Sequence, residues 1–360
     1  MHRIAVDAMG ADGAPRSEVQ GVVSAVRSDQ IDVILLGDEP RLRQELAALG
    51  VVDDPHIQVR HAPEVITMDD APSMAVKQKK KSSMRLCFDL VKAGEADAVV
   101  SAGNSGAMMA CGLFVLGRLP GVERPAIVNG FPTKTGECAL LDMGANVDPK
   151  ATAVAQWAVL GSVYARMLHG KERPRVGVLS NGSEEHKGTT LTRETHQLLA
   201  RAAQGGPQGA RADFEYVGCV EGRDVFRGGV DVVVTDGFTG NVVLKSVEGA
   251  AEVIMSMVRE EVERAGVLAK LGAALMMKPL KRLRAATDYA EYGGAPLLGV
   301  DGVALICHGR SNARAIENAI RVAVKFAQSG LGSETTAAIA RNAFLWAPQS
   351  AGPQAAGGPS

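Results

Sequence analysis

The stretch Ala98–Leu116, AVVSAGNSGAMMACGLFVL, decides what kind of chain this is. It holds no charged residue and approaches the length of a membrane-spanning helix. Its middle, Gly103-Asn104-Ser105-Gly106, is a cluster of turn residues that would break such a helix. The reading that fits is a buried strand over Ala98–Ser101, a tight turn, and a helix buried on most sides.

Working outward, the same unit recurs. Arg3–Val6 reads as a strand, followed by MGADGAP and a helix with Val19, Val22, Val23 and Val26 on one face and Pro15 at its first position. Further strands are expected at Asp32–Leu36, Ile57–Arg60, Ala126–Asn129, Ala139–Leu141, Val176–Leu179, Asp231–Thr235 and Val303–Cys307. Between Asn241 and Gly266 a long helix carries Val243, Val247, Ala250, Ile254, Val258 and Val262 as one stripe. Repeated strand–turn–helix units predict an α/β fold of three layers, a mostly parallel sheet between helices, with right-handed crossovers.

Composition narrows the function. The chain has 360 residues, 46% apolar and 22% charged, which argues against wholesale disorder. A formal net charge of −1 argues against coating nucleic acid, and 4% aromatics against a base-stacking platform. The cysteines, Cys87, Cys111, Cys138, Cys219 and Cys307, are odd in number, widely spaced and without CxxC, so they read as buried small residues of a cytosolic protein rather than zinc ligands or disulfides. MHRIAVDAMG lacks a signal-peptide core, and from about Pro348 the composition is that of a disordered tail.

In an open parallel sheet the strand-to-helix turns share one edge, and ligands bind there. Here those turns are DAMGADGAP, SAGNSGA, LDMGANVD, SNGSEEHKG, TDGFTGN and CHGRSNA. Gly lets backbone N–H groups approach a ligand, and each following helix adds a partial positive end, so several such turns together suit an oxyanion such as phosphate. No G-x-G-x-x-G follows the first strand, and no G-x-x-x-x-G-K-[ST], G-x-S-x-G or H-E-x-x-H occurs. Lys187 would add a point charge to an anion site, or else be a solvated lysine. Asn241 could donate to a developing oxyanion, or else cap its helix, worth about 1 kcal/mol. His186 and His308 are candidate bases or structural hydrogen-bonders.

Two basic segments remain. Lys77, Lys79, Lys80, Lys81 and Arg85 form a run without acids that would steer an anion or dock an acidic partner, if it is not simply a solvated face. In 266–284, Lys270, Lys278, Lys281, Arg282 and Arg284 interleave with Leu271, Leu275 and other apolar residues, as suits either an anionic membrane surface or packing on a sister subunit.

The turns resemble a known series. IAVDAMGADGAP, MDDAPSMAVKQKKKSSMR, VSAGNSGAMMA, LLDMGANVD, SNGSEEHKGTTLT, VEGRDVF, DGFTGNVVLKSVEG and YGGAPLLGVDGVALICHGRSNA are similar, in order, to the motifs of bacterial phosphate acyltransferases of the PlsX type, from about Ile4 to about Ala327. That resemblance implies attack of inorganic phosphate on a long-chain acyl–acyl carrier protein, giving acyl phosphate for phospholipid synthesis, with no metal or cofactor. It also implies an isocitrate/isopropylmalate dehydrogenase-like fold, a homodimer, cytoplasmic location with peripheral contact to the inner face of an anionic membrane, and a downstream glycerol-3-phosphate acyltransferase. One catalytic domain over 1–346, with a helical protrusion over about 241–292, and a tail over 347–360 are expected. The motifs place the important Lys and Asn at Lys187 and Asn241. Asp7, Gly10, Gly103, Asn104, Asp142, Asn146, Asn181, Gly182, Asp236, Gly240, His308 and Ser311 are expected to line the phosphate and substrate site. The Lys77–Arg85 run becomes the carrier-protein dock, and Leu271, Leu275, Lys278, Lys281, Arg282 and Arg284 the membrane contact. The chain departs from the family in having Ala11 for a Gly, and Gly13 where a His is common. A phosphotransacetylase acting on acetyl-CoA is the alternative, distinguished by its acyl donor.

Overall fold

The computed structural model describes residues 2–29, 31–206, 209–266, 272, 276 and 293–347. Strands β1 (His2–Asp7), β2 (Ile31–Gly37), β3 (Ile57–His61) and β4 (Ala98–Ser101) alternate with helices α1 (Arg16–Ser28), α2 (Glu39–Ala48), α3 (Pro72–Gln78) and α4 (Ser83–Lys92). Helix α5 (Ser105–Cys111) follows β4 and runs into a wider π turn over Gly112–Leu116. Then come β5 (Ala126–Thr133), β6 (Gly136–Leu141), α6 (Ala151–His169), β7 (Arg175–Leu179), α7 (Thr190–Gln204), β8 (Glu215–Val220), β9 (Val232–Val234) and α8 (Gly237–Arg264). The described chain ends with β10 (Ala295–Leu298), β11 (Val303–Ile306), α9 (Ala313–Ser329) and α10 (Leu331–Arg341).

The strands form one sheet in the order β3-β2-β1-β4-β11-β10-β5-β6-β9-β7-β8. Period-two alternation sorts the side chains to its two faces. Ala5, Ile34, Leu36 and Val99 point to a core built with α4, α5 and the inner side of α8. Ile4, Val6, Val33 and Leu35 point oppositely, to α1, α2 and α9. Val128, Leu141, Val176 and Val232 extend that second layer under α6 and α10. Helix α6 is buried on nearly every side from Ala151 to Ala165. The five cysteines are free and buried, and burial pushes the Cys111 thiol up to about 12, as fits inert core positions.

The three-layer, mostly parallel fold agrees with the sequence reading, with one amendment. β3, β2, β1, β4 and β11 run one way. β10 is antiparallel to both β11 and β5, and β5 is antiparallel to β6, so β6, β9, β7 and β8 run the other way. The strand-to-helix corners therefore belong to two groups rather than one common edge.

Local differences are small. Pro15 stands just before α1, where its carbonyl accepts the first helical bond from Val19 at 2.9 Å, one residue earlier than expected. β8 and β10 were not visible in the sequence pattern; Pro296 within APLL hides β10, because Pro reads against an interior strand. Phe114 in the π turn is 53% exposed, so Ala98–Leu116 is not buried to its end. Among the described residues no helix is long and apolar enough to cross a membrane.

Candidate active site

The first corner gathers the turns after β1, β4 and β11. Asp7 ends β1 fully buried, where it accepts a 2.6 Å hydrogen bond from Ser101 Oγ and a 3.2 Å bond from Met9 N. Gly103 N donates to the same Ser101 hydroxyl at 3.1 Å. Burial raises the Asp7 carboxyl above the ordinary range, against the opposing pull of its Ser101, Ser83 and Met9 hydrogen bonds. Gly10 and Gly103 meet backbone to backbone: a Cβ at Gly10 would lie 2.6 Å from Gly103 N. Below them Glu18 accepts from Ala11 N at 3.1 Å and from Ser17 Oγ at 2.8 Å, and burial lifts it to about 7. The β11 turn docks here through Asp12 N to Gly309 O, 2.9 Å, and brings His308 and Ser311. Ser311 is 5% exposed, and its hydroxyl has no partner among the described residues. His308 is held below the usual imidazole range by burial and then by the Lys245 charge.

The second corner joins the turns after β6 and β9. Buried Asp142 accepts from Ile127 N at 2.9 Å, Ala145 N at 3.2 Å and Asn146 N at 2.6 Å, while burial raises its carboxyl. Asp236 caps α8, accepting from Thr239 N at 2.8 Å. Gly237 and Gly240 let this helix start directly on the Asp142–Asn146 turn: a Cβ at Gly240 would collide with the Asp142 carbonyl, and Gly237 N donates to Asn146 O at 2.7 Å. Asn241 therefore sits inside the helix, exposed, beside Gly144, and its carboxamide makes no hydrogen bond among the described residues. The capping alternative for Asn241 falls, because Asp236 already fills that role.

The third corner follows β7. Asn181 Oδ1 accepts from Gly188 N at 2.8 Å and closes the loop. The Lys187 stem packs on buried Gly182, and no carboxylate pairs with its ammonium among the described residues. Besides Asp142 and Asp236, two of the expected lining asparagines are occupied in the fold itself. Asn104 caps α5 and donates from Nδ2 to the carbonyls of Thr67, Met68 and Asp70, each at 3.2 Å. Asn146 Nδ2 donates to Pro125 O at 2.8 Å and to Asp142 Oδ2 at 3.0 Å.

Two corners are tied together by a residue the sequence reading passed over. Lys245, one turn beyond Asn241 on α8, places Nζ 3.3 Å from His308 Nε2. The i, i+4 spacing was a readable signal that Lys245 shares a face with Asn241. No hydrogen bond or ion pair among the described residues joins the third corner's loop to the other two, although β7 pairs directly with β9. In the basic run, Lys79 bonds Asp70 Oδ2 at 2.5 Å and Val65 O at 3.0 Å, and Arg85 bonds Asp89 at 3.2 Å. Lys77 lies over the exposed Phe114 ring, 5.2 Å from its centroid, and Lys80 and Lys81 are exposed. The expected membrane residues Leu271, Leu275, Lys278, Lys281, Arg282 and Arg284, and the tail from 348, lie outside the described residues.

The family described as "Fatty acid synthesis protein" matches residues 2–334. The chain belongs to this family. It is 53% identical over 329 residues to a phosphate acyltransferase of Geobacter sulfurreducens, covering 91% of this chain and 92% of that one. It is 51% identical over 350 residues to a phosphate acyltransferase of Myxococcus xanthus, covering 96% of each. Among solved structures, a phosphotransacetylase from Streptococcus pyogenes shares the fold, with a TM-score of 0.59 over 91% of this chain and 94% of that one at 17% identity. The EutD phosphotransacetylase of Staphylococcus aureus does likewise, with a TM-score of 0.56 over the same shares at 16% identity. The fatty acid synthesis family thus carries a fold also used by phosphotransacetylases.

Proposed function

We propose that this chain transfers a long-chain acyl group from acyl carrier protein to inorganic phosphate, with Lys187 and Asn241 as the groups that meet the reacting atoms. The observation that carries the reading is that both side chains are uncommitted where their neighbours are tied into the fold: Asn241 is not a cap, and Lys187 has no carboxylate partner among the described residues. A phosphate oxygen attacks the thioester carbonyl carbon; the C–S bond breaks, and the thiolate leaves with the proton that phosphate releases. The chain's part is to hold the dianion and to donate to the carbonyl oxygen as it gains charge, which is positioning plus oxyanion stabilisation. Asp7, Gly10, Gly103, Asn181, Gly182, Asp236, Gly240, His308 and Ser311 shape the surrounding corners, while Asn104, Asp142 and Asn146 brace them.

Lys77, Lys80 and Lys81 dock the acidic carrier, with Phe114 and Met74, 57% exposed, as apolar contacts. Lys79 and Arg85 drop out of that surface, being committed to Asp70 and Asp89. A homodimer is supported by α8, where Val253, Ile254, Met257 and Val258 lie exposed along one helix. Acyl phosphate is water-insoluble, so peripheral contact with an anionic membrane and hand-over to a glycerol-3-phosphate acyltransferase complete the reading.

The test is an assay with palmitoyl–acyl carrier protein and varied phosphate. Wild type should form acyl phosphate in proportion to bound phosphate, and Lys187→Ala should lose about 10²-fold or more in kcat/KM. Turnover without phosphate, or an unimpaired Lys187→Ala enzyme, would refute it.

A further inference from the structure

We propose that Lys245 is a second cation of the site, holding the phosphate co-substrate against the corner formed by His308, Arg310 and Ser311 at the start of α9. The inference rests on the phosphate acyl-transfer reading and adds a residue to it. Its first support is a surplus of donors. The Arg310 backbone N–H donates to His308 Nδ1 at 3.1 Å, while the Lys245 ammonium stands 3.3 Å from Nε2. A neutral imidazole accepts at only one of its two nitrogens. Both contacts cannot be hydrogen bonds to such a ring, so the corner presents one donor more than His308 can take.

The second support is independent. Ser311 Oγ, on a residue only 5% exposed, has no partner among the described residues, although buried hydroxyls are ordinarily bonded. It lies two residues before the first turn of α9, a seventeen-residue helix whose dipole favours an anion. An oxyanion offers the Lys245 ammonium and the Ser311 hydroxyl several acceptors at one place. Phosphate, with its acceptor oxygens, fits that need better than the single carbonyl oxygen of a thioester.

The third support is position. Lys245 and His308 are 63 residues apart in sequence and come from the two oppositely running groups of strands. The lysine is one helical turn from Asn241, so a dianion gripped by Lys245 lies beside the proposed oxyanion donor. Among the described residues, the carboxylates that act on His308 are Glu248, which accepts from Lys245 at 2.8 Å, and Asp12, whose backbone pairs with Gly309. Glu248 keeps the lysine aimed while leaving it further N–H groups to give.

The experiment uses the full chain, Lys245→Gln and Lys245→Arg, with phosphate and acyl–carrier thioester varied separately. Lys245→Gln should raise KM for phosphate about tenfold or more, with KM for the thioester unchanged, and Lys245→Arg should recover most of the loss. Phosphate should raise the melting temperature of wild type and of Lys245→Arg but not of Lys245→Gln, a readout that needs no turnover. Lys245 is half-exposed, so the variants should melt normally without phosphate. An unchanged KM for phosphate overturns the proposal. So does a rise confined to the thioester KM, which would put Lys245 on the donor. Wild type that turns over without phosphate would instead overturn the acyl-transfer reading beneath it.

Discussion

Replacing Asn241 by Ala separates chemistry from stability. The side chain is exposed, lies within α8 rather than at its end, and makes no hydrogen bond among the described residues. Folding should therefore barely notice the change: Ala is the better helix former, and surface substitutions stay within about 0.5 kcal/mol. If Asn241 donates to the thioester oxygen as it becomes an oxyanion, its loss removes an interaction made in the transition state. One such donor is worth about 10²–10³ in kcat, or about 3–4 kcal/mol. The control is Asp236→Ala, which removes the α8 cap and should cost about 1 kcal/mol of stability. Initial rates at saturating phosphate and thioester, alongside calorimetric melting, give both quantities for both variants. Asn241→Ala should melt like wild type and turn over at least about 100-fold slower. A variant within about threefold of wild-type kcat would refute the assignment, since no donor worth its role in the transition state could be lost so cheaply.

Three further outcomes are expected. Glu18 and Glu137 are both raised by burial from 4.5 to about 7, so their native forms hold protons that the unfolded chain has released; the stability these two groups contribute is full below about pH 4.5 and is lost as pH rises through about 7, and Glu18→Gln should flatten part of that slope in a melting series. Gly240→Ala forces a methyl into the Asp142 carbonyl, so differential scanning calorimetry should show a loss of about 1–3 kcal/mol or more, with kcat falling as Asn241 is displaced. Changing Lys77, Lys80 and Lys81 together to Glu should raise KM for the carrier-linked thioester in a salt-sensitive way and leave KM for phosphate unchanged; equal effects on both would show that the run steers anions generally.

Much of the fold was legible because its signals are local. The short apolar runs in Arg3–Val6 and Asp32–Leu36, each followed by a Gly-containing turn, mark strand and corner without knowledge of any partner. The family resemblance likewise travelled through short ordered motifs and was matched over 2–334. The site was half legible. Residue types at the corners were readable, but whether Asn104 faces a ligand or pins the Thr67–Asp70 loop depends on a segment more than thirty residues away. The basic run shows the same limit: five positive charges in sequence become three on the surface once Asp70 and Asp89 are in place.

Sequence alone determined the layered α/β class, the corner residues and the chemistry they suit, since periodicity, turn preference and side-chain type are properties of a few neighbouring residues. Only the tertiary structure decided that β6, β9, β7 and β8 run opposite to β1 and its neighbours, that Asp236 rather than Asn241 caps α8, and that Lys245 meets His308. Those outcomes depend on which distant surfaces bury each other, and burial is settled by the whole packed core rather than by any segment within it.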